Sequence, residues 1–198
     1  MTASSTRADY LRAAMTLLAT DGYGALKVGR LCRELGLTTG SFYHHFAGLP
    51  DLVAALLAHW EEENTRRVAV AVAEITAPDQ AIGVLKEVAI ALPHAAEANL
   101  RAWSLRDPAI ALVVARVDEE RRSVLTAAIG LVVGRPQRAH DLAVLGHSVL
   151  VGFQQSRDPG DLAELRRLMD LYERLIHAES ATSAGSAENA ASAVVAAG

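Results

Sequence analysis

Residues 28–46 read VGRLCRELGLTTGSFYHHF. Val28, Leu31, Cys32 and Leu35 recur at helical spacing and form a short apolar stripe that stops at Gly36. Gly36 allows a tight turn, and Leu37 is placed to plug the angle between two helices. Thr38 is a good N-cap for a second short helix, whose Phe42 and Phe46 stand four residues apart and face one core. With that direction inward, the step of about 100° per residue turns Gly40 and His44 outward, flanked by Ser41 and Tyr43. This is the pattern of a helix-turn-helix. Its second helix opens with small, hydroxylated residues, as a helix must if its first turn is to lodge in a DNA major groove. The positive end of the helix dipole at Thr38-Thr39 favours a phosphate there.

Upstream, Leu11, Met15 and Leu18 make another helical stripe, closed by the turn Asp21-Gly22-Tyr23-Gly24. Downstream, Gly48-Leu49-Pro50-Asp51 starts a fourth helix, expected over roughly Pro50 to Ile75 with Leu52, Leu56 and Trp60 inward. Pro78, Pro93, Pro108 and Pro136 punctuate the longer helices that follow, because proline inside a helix costs roughly 3 kcal/mol. Ile110 to Val133 reads as one long helix. Leu142, Leu145, Val149 and Phe153 stripe the next, and Leu162, Leu165, Met169, Tyr172 and Ile176 the last. Beyond His177 the composition collapses to Ala, Ser, Gly and little else, which predicts a disordered tail over 178–198.

The 198 residues are 51% hydrophobic but only 5% aromatic, which excludes an intrinsically disordered chain and argues against an all-β one. The longest uncharged run, Leu142 to Ser156, falls short of the ~18–20 residues of a membrane span and contains His147. No basic start with an apolar run behind it opens the chain, so no secretory signal is expected. The one cysteine, Cys32, permits no internal disulfide and reads as a small core residue. The expected location is the cytoplasm. Net charge is −4, but residues 1–48 carry five bases against three acids, a net +2, which leaves −6 for the rest. A basic module that meets a polyanion, joined to a second module, is the reading of that split.

The stretch resembles the tetracycline-repressor (TetR) family of transcriptional regulators. The matching residues are Leu31, Leu35-Gly36-Leu37, Gly40-Ser41-Phe42-Tyr43, His45-Phe46 and Asp51-Leu52, with Asp21-Gly22-Tyr23 upstream. The match covers about a quarter of the chain, and a Trp103…Asp107-Pro108…Asp118…Arg121 stretch supports it loosely. The resemblance implies an all-α protein of about nine helices. It divides the chain into a DNA-binding domain over 1–48, a ligand-binding and dimerisation domain over 49–177, and the tail over 178–198. By the same likeness Thr38, Thr39, Gly40 and His44 read bases, while Ser41, Tyr43 and His45 hold phosphates. Dimerisation through the last two helices would involve Leu142, Leu145, Val149, Leu165, Met169 and Tyr172. The implied function is a repressor that binds palindromic operator DNA as a homodimer and is released by a small-molecule effector. An activator or effector-requiring regulator of the same fold is the alternative.

Two departures shift the phosphate contacts. Leu49 stands where the family often has a lysine, and Lys27-Val28 stand where it favours a Ser or Thr cap. Phosphate anchoring must therefore come from Arg7, Lys27, Arg30 or Arg33, of which Lys27 and Arg30 join the expected DNA contacts. Thr38 to Phe46 contain no Lys or Arg, so DNA binding should depend less on salt than is usual for this fold. Protonation of His44 or His45 on mild acidification should raise affinity by adding charge opposite a phosphate.

His59, Trp60, His94, Trp103, Arg106 and Phe153 are the candidates to line an effector cavity, although stripes of large residues are more often core. Adjacent His44 and His45 point apart on a helix, and His140 and His147 lie ~10 Å apart along one, so no metal site and no cofactor are expected. Gly146-His147-Ser148 looks briefly like a nucleophile elbow, but Leu150 replaces its second glycine and no strand precedes it. No phosphate loop or dinucleotide fingerprint occurs either, and the expectation is a binding protein that is not an enzyme.

Overall fold

The structure, a computed structural model, describes residues 6–196 except 74, 76 and 157. It is all-α, with nine α-helices among the described residues. Helix α1 (Arg7–Asp21) is started by a capping box: the Thr6 hydroxyl accepts from the Asp9 N–H, and the Asp9 carboxylate accepts from the Thr6 N–H at 2.8 Å. It ends at Gly22, whose φ of +74° suits glycine. A 3₁₀ turn (Tyr23–Ala25) leads to α2 (Val28–Glu34), the turn through Gly36, and α3 (Thr39–Tyr43). Then come α4 (Leu49–Ala73), α5 (Pro78–Ile90), α6 (His94–Ser104), α7 (Pro108–Val133), α8 (Pro136–Ser156) and α9 (Leu162–Ala196). Pro78, Pro108 and Pro136 each occupy the first position of a helix, where a missing N–H costs nothing.

Contacts gather the chain into two compact units, drawn differently from the sequence division at 48/49. One comprises Met1–Arg66, Pro93–Val117 and Asp158–Gly160; the other comprises Arg67–Leu92, Asp118–Arg157 and Asp161–Gly198. In the first, Tyr10, Leu31, Phe42, Phe46 and Leu52 are buried together as the core of the head. Helix α1 also packs along α6, where Leu18 joins Trp60, Leu100 and Ile110 in a second apolar cluster. Gly22 fits there because a Cβ would meet Asn99 Oδ1 at 3.2 Å. The head of this protein is thus built together with α6, a contact that helical periodicity alone could not place.

In the second unit, α9 buries Leu165, Met169, Tyr172 and Ile176 at helical spacing, as the sequence predicts, whereas Leu162 at the start of the same expected stripe is exposed. Helix α9 runs on past His177 to Ala196, through residues expected as a tail. Two physical reasons account for this. Alanine is the strongest helix former, and the first turn of the added segment is tied down. Glu179 receives Arg135 at 2.8 Å and is also bonded by Arg138, while the Ser180 hydroxyl donates to the Val132 carbonyl at 2.8 Å.

The residues expected at a dimer interface differ in exposure. Leu142, Leu165, Met169 and Tyr172 are buried in the protomer's own core, and Val149 is half-buried; only Leu145 is exposed. The strongest apolar stripe of an amphipathic helix faces its own core first, which is why a search for stripes selects these residues. Among the described residues, the large apolar side chains left outward on the two helices are Val144 and Leu145 on α8 and Leu162, Leu171 and Leu175 on α9.

Candidate nucleic-acid interface

Helix α3 spans five residues, too few to be stable alone, so its position is imposed by what surrounds it. The Thr38 side chain caps it by accepting from the Ser41 N–H. The preceding turn is closed by the Leu37 N–H, which donates to the Cys32 carbonyl at 2.8 Å, with Gly36 at φ +66°. Phe42 and Phe46 stack with centroids 5.3 Å apart, and both present their faces or edges to the Tyr10 ring. Those two anchors leave Thr38, Thr39, Gly40, Tyr43 and His44 exposed along one edge, with Ser41 half-buried beside them. Tyr43 is 60% exposed, unusual for so large a ring in a chain with so few aromatics. His45 lies half-buried against Tyr10 at 5.6 Å.

The cations around this edge differ in how committed they are. Lys27 and Arg33 are exposed and make no ion pair among the described residues. Arg30 donates to Asp21 at 2.8 Å and lies 4.0 Å from Glu34, so its charge is already countered within the head. The Thr20 hydroxyl, and after it Arg30, hold the Asp21 carboxyl below its ordinary value. Arg7 donates to the His45 carbonyl at 2.9 Å and lies over the Phe46 ring at 4.5 Å. Arg12 pairs with Asp9 at 3.3 Å.

The six residues expected to line an effector cavity are not one cluster. Trp60 and His94 are buried in the first unit, and His59 is half-buried there. Trp103 instead stacks on Tyr23 of the head at 5.4 Å, and exposed Arg106 donates to the Tyr23 hydroxyl. Phe153 is buried in the second unit beside Leu150, Leu165 and Met169. Sequence reading missed Glu97, which is 1% exposed and accepts from the Trp60 indole N–H at 3.3 Å. Its signal was present: Glu97 is an acid within the apolar stripe Ala96, Leu100 and Trp103 of α6.

Residues 11–56 match the family model of the bacterial regulatory proteins, tetR family. No curated protein matches the chain by sequence. Among solved structures, a transcriptional regulator from Rhodococcus sp. Rha1 is similar, with TM-score 0.71 and 17% identity over 87% of this chain and 96% of its own. A regulator from Saccharomonospora viridis in complex with choline gives TM-score 0.72 and 17% identity, over 84% and 94%. A TetR transcription regulator from Haloarcula marismortui gives 0.70 and 20%, over 85% and 96%. At these identities the likeness is one of fold, and the fold is that of TetR-family transcriptional regulators.

Proposed function

We propose that this chain, with its tetR-family segment over residues 11–56, is a repressor that binds palindromic operator DNA as a homodimer and lets go when a small molecule binds. One observation carries the reading: Thr38, Thr39, Gly40, Tyr43 and His44 form an exposed edge on a short helix whose opposite side is buried by Phe42 and Phe46. Such an edge has the size and hydrogen-bonding groups that a major groove accepts. In this reading Thr38, Thr39, Gly40 and His44 meet bases. Ser41, Tyr43, His45 and Lys27 meet the backbone, and Arg30 can join them only by leaving Asp21. Two heads must sit about one duplex turn apart, ~34–36 Å, to read successive grooves.

A second copy supplies the second head. Leu171, Leu175 and Ala178 form an outward stripe on α9, and Val144, Leu145 and Ser148 one on α8. Two such stripes from each protomer suit a four-helix bundle. A Leu171→Glu, Leu175→Glu double variant should stay folded, halve the molecular mass and abolish operator binding. Leu165→Glu would unfold the protomer instead.

For the effector, Glu97 and His94 place an acid and an imidazole in the apolar interior of the first unit, the kind of polar pair that orients a small ligand. A molecule with a positive charge or a strong hydrogen-bond donor fits such a carboxylate, and choline, carried by the Saccharomonospora viridis relative, is a first probe. Release requires the effector to bind the DNA-incompetent form more tightly, typically by about 1–3 kcal/mol. Helix α4, which places Leu52 and Leu56 in the head core and Trp60 against Glu97, is the route from that interior to the head. The chain is read as a cytoplasmic binding protein that is not an enzyme. No helix of the described residues is long and apolar enough to cross a membrane.

The deciding experiment is enrichment of duplexes from a random library by the purified protein. A palindromic sequence bound with a modest salt dependence supports the reading. No enriched sequence, or a log–log salt slope on the order of −8 or beyond, sinks it in whole or in its salt component.

A further inference from the structure

Arg7 is the first residue of α1, thirty-eight positions from the carbonyl it bonds. Its Nη1 donates to the His45 carbonyl at 2.9 Å, and its guanidinium lies over the Phe46 ring at 4.5 Å. Its Nη2 faces Asp51 Oδ1 at 3.6 Å, and Asp51 Oδ2 accepts from the Ala47 N–H at 2.9 Å. One guanidinium and one carboxylate therefore fasten the segment between α3 and α4 on both sides of Phe46. That segment follows a five-residue helix whose own hydrogen bonds cannot fix its direction.

We propose that Arg7 and Asp51 form a strut that positions α3, so that Arg7 acts on DNA through the angle of Tyr43 and His44 and not as a phosphate contact. This rests on the DNA-binding reading above. The planar fork of arginine suits the task, since it can lie flat on a ring while its edge donates to a carbonyl and faces a carboxylate. A lysine at position 7 would keep the charge and lose the fork. Asp51 makes the two roles separable. If Arg7 served only to attract phosphate, removing the neighbouring negative charge would tighten DNA binding; in a strut, it weakens it.

The test compares the wild type with Arg7→Ala, Arg7→Lys and Asp51→Asn on the duplex enriched by the wild type and on an unrelated duplex. Melting temperatures are taken in parallel to confirm folding. For a strut, Arg7→Ala and Arg7→Lys each lose roughly tenfold on the enriched duplex, the size of one charged hydrogen bond, and less on the unrelated one. The salt slope stays unchanged, and Asp51→Asn weakens binding too. A fall in slope of about 0.9 in Arg7→Ala, full affinity in Arg7→Lys, or tighter binding by Asp51→Asn overturns the strut. Amide exchange of residues 44–48 in the DNA-free protein gives a readout independent of any operator. It rises in Arg7→Ala and Asp51→Asn if the strut exists and is unchanged if it does not. If no duplex is enriched, the DNA reading fails and the positioning role falls with it, whatever the exchange shows of the strut.

Discussion

The ring of Tyr172 on α9 covers Gly146 on α8 so closely that a Cβ at position 146 would overlap the phenol. The Tyr172 hydroxyl then donates at 2.6 Å to the Leu142 carbonyl, one turn earlier on the same helix. Burial pushes the phenol well above its ordinary pKa, so the group is a hydrogen-bond donor at any working pH. Gly146 is thus explained by packing between two helices, and not by the hydrolase-like triplet Gly146-His147-Ser148 in which it sits.

Gly146→Ala should therefore destabilise the protein by about 1–3 kcal/mol, because the displaced ring must leave a packed site and its hydrogen bond together. Denaturant unfolding measures it. An unchanged midpoint would mean that the ring has another place to go.

Tyr10 shows the opposite condition. Its ring is fully buried against Phe42 and Phe46, yet its hydroxyl has no hydrogen-bond partner among the described residues. A buried donor left unmade costs more than an absent one, so Tyr10→Phe should stabilise the head by about 1 kcal/mol, read as a higher midpoint on unfolding. A lower midpoint would show that the hydroxyl is bonded in solution.

Local signals in the sequence account for the head almost residue by residue. Gly36 marks the turn, Thr38 the cap, and the spacing of Phe42 and Phe46 the direction that leaves Gly40 and His44 outside. Each is a short-range constraint with one physical solution. The misplacements share a different cause. Leu165 and Met169 belong to the core, and Leu171 and Leu175 lie outside, because periodicity finds an apolar face without saying which partner covers it. Trp103 and Arg106 serve Tyr23, eighty or more positions away, and no pattern in one chain announces such a pair. Residues 178–196 looked tail-like because composition lacks an apolar stripe, but alanine needs none to be helical.

Acid should weaken the second unit through its ion pairs. Lys86 bonded to Asp170, Arg166 bonded to Glu87 and Arg138 bonded to Glu179 hold these three carboxyls below their ordinary values of 3.8, 4.5 and 4.5. A carboxyl lowered on folding contributes stability that is complete above its ordinary value and is lost as pH falls through the lowered one. Glu179→Gln should accordingly lower the melting temperature at pH 7, and the gap from the wild type should narrow as pH falls below 4.5 and through the lowered value. Thermal melts of both proteins across that range check it; a gap independent of pH would assign the loss to helix geometry and not to charge.

The role of Arg30 depends on a competitor inside the head. Asp21 holds its Nη2 at 2.8 Å, and Glu34 stands on the other side, so a phosphate must displace a carboxylate to reach it. In Asp21→Asn the guanidinium keeps its place on α2 but loses most of that competition. Affinity for the enriched duplex should rise, and the slope of log affinity against log salt should steepen by about 0.9, the share of one further phosphate. Exposed pairs add little to stability, so the loss to the fold should be small and the two effects separable. Mobility-shift titrations at four salt concentrations, run beside melting curves, measure both. An unchanged slope would mean that Arg30 stays turned toward α1 even when DNA is bound, leaving Lys27 and Arg33 as the cations of this edge that meet the backbone.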